Sequence, residues 1–336
     1  MSPQPAELEI QIDTLSEHDI YRNLAVEDHF FQTLDPHMCR LLFWASHRSI
    51  VIGKNQNPWR ECDLARLDTD GIAIARRMTG GGTVYHDRGN LNFSFILDRR
   101  KNDPERQLGV VVKALATLDI DARIGPQHVL LVGDKKVSGN AFYYRHNSAL
   151  HHGTLLIDAE LERLRRYLRP TLSGVTTRGV ASNPASTTNL CAIRPGLTRD
   201  NVEQALSATF ALEYGHDGTY SVGDGSSCPA AAIESGVAKF ANDEWLFDMT
   251  PPFTISQRTQ FNDVEIDATL SIKKAKIVAA EFAHPDATWT EDISSALRGC
   301  AFRKHPIQQR LAIKIADAAN PCRQHLAQWL AELPGI

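Results

Sequence analysis

Two hydrophobic periods alternate along this chain. Between residues 20 and 34, Leu24, Ala25, Phe30, Phe31 and Leu34 recur at helical spacing, and short apolar runs at 41–44 and 49–52 predict strands after that helix. Residues 72–76 carry a further strand-like run into a glycine-rich turn. The stretch Asn90-Leu91-Asn92-Phe93-Ser94-Phe95-Ile96 alternates with period two, which predicts a half-buried strand. Leu108, Val111, Val112, Leu115 and Leu118 then return to helical spacing. Residues 129–132, the pair Gly133-Asp134 and residues 135–144 read as a hairpin whose two-residue turn begins with glycine. A turn at 145–148 leads to a strand over 151–157, followed by helical patterns at 159–167 and 200–213 and a glycine-, aspartate- and serine-rich exposed loop at 215–227. Beyond Pro251-Pro252, alternating runs at 264–272 and 276–282 precede helical patterns at 289–299 and 307–332.

Length turns this pattern into a domain expectation. A chain of 336 residues with 43% apolar content exceeds one ordinary core, so two domains are expected, 1–250 and 251–336, divided at the proline pair. The formal charge is 36 minus 40, or -4, with no block of like charge, which argues against a nucleic-acid footprint. Residues 1–5 lack a basic and apolar leader pattern, and no apolar stretch has spanning length, so no membrane role and a cytoplasmic location are expected. Cysteines 39, 62, 191, 228, 300 and 322 lie far apart without a CxxC pair, as suits scattered reduced thiols. None falls between residues 63 and 190, which disfavours a covalent thioester route.

Candidate chemistry gathers in two places inside that interval. Arg76-Arg77-Met78-Thr79-Gly80-Gly81-Gly82-Thr83-Val84-Tyr85-His86-Asp87 joins two guanidinium groups, a hydroxyl and three glycines, equipment for holding an anion through converging N–H groups and arginine forks. If the two arginines end a strand they face opposite ways, so Arg77 is expected to reach the ligand and Arg76 is not. Gly133-Asp134-Lys135-Lys136-Val137-Ser138-Gly139-Asn140 offers a lysine among small residues. Lys136 reads on position alone as an exposed hairpin lysine, yet Ser138, Gly139 and Asn140 leave room for a close-lying ligand. An ammonium there suits acyl adenylation, because carboxylate and α-phosphate repel until a cation offsets their charge.

Other arrangements are excluded or left open. There is no Walker loop, no GxGxxG and no GxSxG elbow, and a triad of hydroxyl, histidine and acid cannot be assembled from sequence. His151 and His152 adjoin in one predicted strand and so face opposite ways, which argues against joint metal ligation by the pair. The pair His86-Asp87 supports a structural hydrogen-bonding role as readily as a ligand contact.

At these residues the chain resembles the lipoate-protein ligase family over nearly its whole length. Residues 52–62, Ile-Gly-Lys-Asn-Gln-Asn-Pro-Trp-Arg-Glu-Cys, resemble that family's VIGxxQNPWxEC segment, and residues 76–87 its RRxSGGGxVxHD loop. Residues 133–141 are similar to its GDxKVSGxA lysine loop, 151–156 to its HHGTLL strand, and 179–190 to its GVxS and TNL stretch. Trp245-Leu246-Phe247 resembles the segment that leads into its accessory domain.

That resemblance implies an α+β fold: a lipoate/biotin ligase-like catalytic domain, with a mixed and largely antiparallel sheet flanked by helices, plus a small α+β C-terminal domain. It implies that lipoate and Mg2+-ATP give lipoyl-AMP and pyrophosphate, after which a lysine of an apo lipoyl domain takes the lipoyl group and releases AMP. The acceptor would be a 2-oxoacid dehydrogenase E2 domain, a glycine-cleavage H protein or a specialised lipoyl carrier. Lys136 would bridge carboxylate and phosphate non-covalently. Arg77, Thr79, Gly80, Gly81, Gly82, Thr83, Gly139 and Asn140 would hold the acyl-adenylate, with His86, His152 and Thr154 lining the site. No metal ligands are assigned. Relatives that transfer preformed lipoyl-nucleotide share these motifs, and a non-catalytic binder is the alternative from another class; the loop lacks the arginine-rich character of biotin ligases.

Three positions depart from the family pattern. Thr79 replaces serine and keeps the hydroxyl. Gln127-His128 stands where Asn-Asp, or at least the aspartate, is common, so nucleotide orientation or metal placement is expected to differ. Asp248 replaces a glycine after the Trp-x-Phe/Tyr segment, with a change in domain docking expected.

Overall fold

The computed structural model describes residues 8–183, 185–215, 218–283, 288–315 and 321–335. In chain order its strands are β1 (Glu9–Thr14), β2 (Met38–Trp44), β3 (Ser49–Ile52), β4 (Ala73–Arg76), β5 (Val84–His86), β6 (Asn90–Asp98), β7 (Ala122–Ile124) and β8 (Leu130–Val132). Then follow β9 (Lys135–Ser138), β10 (Asn140–Arg145), β11 (Ser148–Leu156), β12 (Val175–Thr177), β13 (Ser221–Gly223), β14 (Phe253–Phe261), β15 (Val264–Lys273) and β16 (Lys276–Ala283). Among the described residues no helix is long and apolar enough to cross a membrane.

A six-stranded mixed sheet, ordered β10-β11-β6-β2-β1-β13, forms the centre; β1 runs parallel to both its neighbours and the other pairings are antiparallel. Helices cover both faces. Leu108, Val111 and Leu115 of helix Pro104–Ala116 join Val202, Leu206 and Phe210 of helix Arg199–Tyr214 over Leu41, Phe43, Phe93 and Phe95. On the opposite face, Leu24, Phe30 and Phe31 of helix Ile20–Gln32 and Ile233 and Phe240 of helix Ala230–Phe240 pack over Leu42, Trp44 and Ile96. The first helix starts where its alternation predicts because Asp19 accepts the Arg22 N–H, and the third-turn apolar residues face the sheet.

Burial on both faces corrects the reading of β6 as half-buried. All nine of its residues are buried, including Asn90, Asn92, Ser94 and Asp98, because the polar face points into a cavity and a hydrogen-bond network, not to solvent. The predicted single return strand 135–144 is likewise two strands. β9 pairs with β8 in a small sheet β7-β8-β9, and the chain crosses at Gly139 into β10 of the central sheet. A Cβ on Gly139 would lie 3.0 Å from Lys136 Nζ, so the crossing is tight.

A third small sheet, β4-β3-β5, carries the glycine loop between β4 and β5. The fourth, β12-β14-β15-β16, is antiparallel and packs against helices Thr288–Leu297, Lys304–Ile315 and Pro321–Glu332. The helical pattern expected over 307–332 therefore contains parts of two helices, and residues 316–320 of it lie outside the described residues. Residues 1–7, where the leader pattern was sought, also lie outside them, as do residues 216 and 217 of the expected loop, whose remainder includes strand β13. Trp59 is fully buried against Phe247, Phe253 and Phe302, with ring centroids 5.3 to 5.4 Å apart, and joins residues near β3 to the fourth sheet.

Candidate active site

One cavity of about 370 Å³ lies between the glycine loop, the lysine strand and the central sheet. Its inner end is closed by Leu24, Trp44, Val51, His86 and Asn92, all at most 3% exposed. Its outer end is bordered by Gln127, Val180 and Asn183, which are exposed. Arg77, Lys136 and His152 stand along the walls between them.

The two arginines divide their work as strand geometry predicts. Arg76 is fully buried and points away from the cavity: Nε and Nη2 donate to Leu246 O, Nη1 to the carbonyls of Gly53, Lys54 and Gln56, and Nη2 also to Thr250 Oγ1. Arg77 lines the cavity. Its Nε donates to Thr79 Oγ1 at 2.9 Å, Nη1 to Val51 O, and Nη2 to the carbonyls of Gly80 and Gly82 at 2.6 and 2.8 Å. Arg77 therefore folds the glycine loop around its own guanidinium. Burial pushes both guanidinium groups down to about 10.

The loop has little slack. Gly81 has φ +84°, open to glycine and strained for other residues, and a Cβ on Gly53 would sit 2.2 Å from Gly81 O. Thr83 Oγ1 donates to Gln56 Oε1, the Thr83 N–H to Ser182 Oγ, and Gln56 Nε2 to Ser182 Oγ. Ser182 in turn donates to Glu61. Residues 179–183 and 185–188 thus strap the loop to the lysine strand, since Val180 N bonds Asn55 O, Lys136 N bonds Ser186 O and Thr188 N bonds Lys136 O.

Behind the cavity wall runs a directed hydrogen-bond chain. Ser94 Oγ donates to Glu27, whose carboxylate oxygens lie 3.1 Å from His152 Nδ1, while His152 Nε2 lies 2.7 Å from Thr79 Oγ1. Sequence alone does not assemble an acid, a histidine and a hydroxyl; the fold does. Burial works to raise the Glu27 carboxyl, but the charge and hydrogen bond of His152 and the Ser94 hydroxyl outweigh it and hold the group low. Glu27 was legible only as a carboxylate among the apolar positions of its helix, and Ser94 only as a polar position in β6.

Lys136 projects into the cavity with no carboxylate paired to it among the described residues. Burial first, then the Arg77 charge, pull its ammonium below the usual lysine range. His86 is buried beside Trp44, and neither ring nitrogen has a hydrogen-bond partner among the described residues. Burial, with the Arg77 and His152 charges adding to it, pushes His86 down to about 3, so the ring is neutral. Asp87 instead braces a turn, accepting the Gly89 and Glu160 N–H groups.

Of the residues singled out from sequence, Arg77, Gly81, Gly82, Thr83, His86, Lys136, Gly139, Asn140, His152 and Thr154 line this cavity. Thr79 and Gly80 stand behind its wall and shape it through Arg77. His151 faces the other side of β11, against Phe93, Phe95 and Phe142. Among the described residues no group of three or more His, Cys, Asp or Glu has metal-binding proximity.

A glycine loop carried by one small sheet and a lysine strand carried by another, closing on a cavity beside a central mixed sheet, is the architecture of the lipoate/biotin ligase-like fold. The description "Lipoyl protein ligase A/B catalytic domain" matches residues 19–211. The chain belongs to the lipoate-protein ligase family and is an enzyme of that family. It is 35% identical over 266 residues to lipoate-protein ligase A of Psychrobacter cryohalolentis, covering 76% of this chain and 77% of that one. Among solved structures it is similar to LipL1 of P. falciparum in complex with lipoate, with 25% identity, TM-score 0.62, and 96% and 99% of the two chains covered. A lipoate-protein ligase A bound with ATP shares 25% identity at TM-score 0.59, covering 71% and 98%.

Proposed function

We propose that this enzyme activates lipoate with ATP to lipoyl-AMP and passes the lipoyl group to a lysine of an apo lipoyl domain. The observation that carries the reading is Lys136: a half-buried, partly desolvated ammonium without a carboxylate partner among the described residues, beside Arg77 and facing a cavity with one apolar end. A desolvated cation of this kind is costly unless an anionic ligand completes it. The solved relatives in complex with lipoate and bound with ATP support the same reading.

The cavity suits an amphiphilic acid. The acyl chain fits the end formed by Leu24, Trp44 and Val51, and its carboxylate then reaches the level of Lys136, with the nucleotide toward Gln127 and Asn183. Lys136 and the Arg77-braced glycine loop offset the charge that builds as a carboxylate oxygen attacks the α-phosphorus and pyrophosphate leaves. In the second step the acceptor amine attacks the acyl carbon, and AMP carries away the bonding pair while the amine loses its proton. Magnesium arrives as part of the nucleotide substrate, since such ions are commonly held by phosphates and waters with few carboxylates. His86, His152 and Thr154 line the acyl-adenylate, and the division at 250/251 separates the reacting part from an accessory part.

The test is lipoate-dependent pyrophosphate release from ATP, followed by addition of an apo lipoyl domain of an E2 or H protein and intact mass measurement. Release and a lipoyl mass gain are expected. Modification from synthetic lipoyl-AMP without pyrophosphate release would make the enzyme a transferase, and neither signal would overturn the reading.

A further inference from the structure

The second histidine of the adjacent pair in β11 is absorbed by the site, while the first, His151, is not. It is fully buried on the opposite face of the sheet, yet it is tied to the cavity mouth. His151 Nδ1 lies 2.8 Å from Gln107 Oε1, and Nε2 lies 3.0 Å from Asn140 Oδ1. Gln107 is oriented by its own donation to Asn102 Oδ1, and Phe142 stacks on the His151 ring at 4.4 Å. Burial holds His151 neutral.

The Asn140 side chain bonds three groups inside the protein. Its Nδ2 donates to His128 O at 2.7 Å and to Ser138 Oγ at 3.1 Å, while its Oδ1 faces His151. Asn140 also lines the cavity, where it was expected to help hold the ligand. What the amide holds is an unusual turn: Gln127 and His128, consecutive residues with side chains, both have left-handed backbone, φ 56° and 61°. Such a pair is disfavoured and persists where its surroundings over-determine it. Here the surroundings are Asn140 on the His128 carbonyl, Phe142 against the His128 ring at 5.0 Å, and Asn183 Nδ2 at 3.4 Å from Gln127 Oε1. Gln127 borders the cavity mouth and the departure from the family pattern falls on these same two residues.

We propose that His151 and Asn140 are positioning residues that set the nucleotide end of the cavity by clamping the Gln127-His128 turn. The assignment rests on the reading above that the nucleotide lies at the mouth. His151 does not line the cavity, so its effect on the nucleotide passes through Asn140 and through Phe142, which touches both His151 and His128.

The experiment compares wild type, Asn140→Ala, His151→Phe, His151→Gln and the double variant Asn140→Ala/His151→Phe. It measures KM for Mg-ATP and for lipoate by pyrophosphate release, ATP binding by calorimetry, and melting temperature. Asn140→Ala is expected to raise KM and Kd for ATP about tenfold, the effect of one lost hydrogen bond, with KM for lipoate within about twofold. His151→Phe is expected to move the same constant, the double variant to be no worse than Asn140→Ala, and His151→Gln to recover. Unchanged ATP constants in Asn140→Ala, or ATP and lipoate constants rising together, would overturn the assignment. If His151→Phe does not fold, the split in Asn140→Ala decides alone. Wild type that binds no ATP would sink the underlying reading, whereas wild type that binds ATP with variants that match it would sink only this one.

Discussion

His152 Nε2 stands 2.7 Å from Thr79 Oγ1, and this contact joins the glycine loop to the Glu27 carboxylate behind the cavity wall. Thr79 Oγ1 accepts from Arg77 Nε and keeps a second lone pair and its own proton to share with His152 Nε2. The other ring nitrogen carries the proton that faces Glu27, which also accepts from Ser94.

Thr79→Val keeps the shape and removes the hydroxyl, leaving Arg77 Nε and His152 Nε2 each without that partner in a buried site. We expect a loss of about 1–3 kcal/mol in urea unfolding, the cost of unsatisfied buried polar groups, and near-native stability for Thr79→Ser. The serine control separates hydroxyl from volume. Equal stability of Thr79→Val and wild type would show that the chain of donors is not energetically coupled.

His86 gives a pH dependence of definite sign. Its folded value of about 3 lies below the unfolded value near 6.5, so between them the unfolded chain binds more protons and stability falls as pH falls. The gap corresponds to a loss on the order of 5 kcal/mol by about pH 3. His151, also held low by burial, adds in the same direction. His86→Gln should therefore flatten the fall in urea midpoint between pH 6.5 and 5; an unchanged slope would show that His86 is not desolvated in solution.

Periodicity made the long elements legible because burial on one face writes itself into sequence. The helix beginning at Ile20, the helix Pro104–Ala116 and strand β3 follow their apolar patterns closely. Strands β1 and β13 were not read, since the three residues Ser221–Gly223 are too few to show a period and gain their partner only through parallel pairing with β1. The glycine loop and Lys136 were legible as chemistry, because glycine runs and isolated cations have few other uses. Glu27 was not, since a single carboxylate in a helix has many uses and its meaning comes from His152, 125 residues away. The difference between Arg76 and Arg77 was legible as opposite strand faces; that Arg76 would grip the segment around Leu246 was not.

Arg76 holds four carbonyls and one hydroxyl drawn from residues 53–56 and 246–250. Trp245 Nε1 returns a bond to Arg76 O at 2.7 Å, so the π-helical turn Glu244–Asp248 is locked to the base of the glycine loop from both directions. Arg76→Met would leave those carbonyls unpaired. We expect destabilisation of roughly 3–5 kcal/mol, the range for breaking a buried charged network, with KM for lipoate and ATP nearly unchanged in the folded fraction. A large KM change without loss of stability would mean that Arg76 reaches the ligand.

Lys136 sets activity against stability. Its ammonium is desolvated beside Arg77 without a carboxylate partner among the described residues, an arrangement that costs folding energy and suits an anionic ligand. Lys136→Met keeps the stem's volume and removes the charge. Pyrophosphate release should fall by about 3–4 kcal/mol of transition-state stabilisation, two to three orders of magnitude. The urea midpoint should rise, by roughly 0.5–2 kcal/mol, as buried strain at a functional site is relieved. Because the folded lysine titrates below the unfolded one, the wild type gains stability on the variant as pH climbs through the folded value toward about 10.4. Ligand-free protein is the right sample, since a bound acyl-adenylate supplies the missing anion and reverses the order. A variant that is inactive and also less stable would show Lys136 to be a structural ion, and the site's charge would have to be assigned to Arg77 alone.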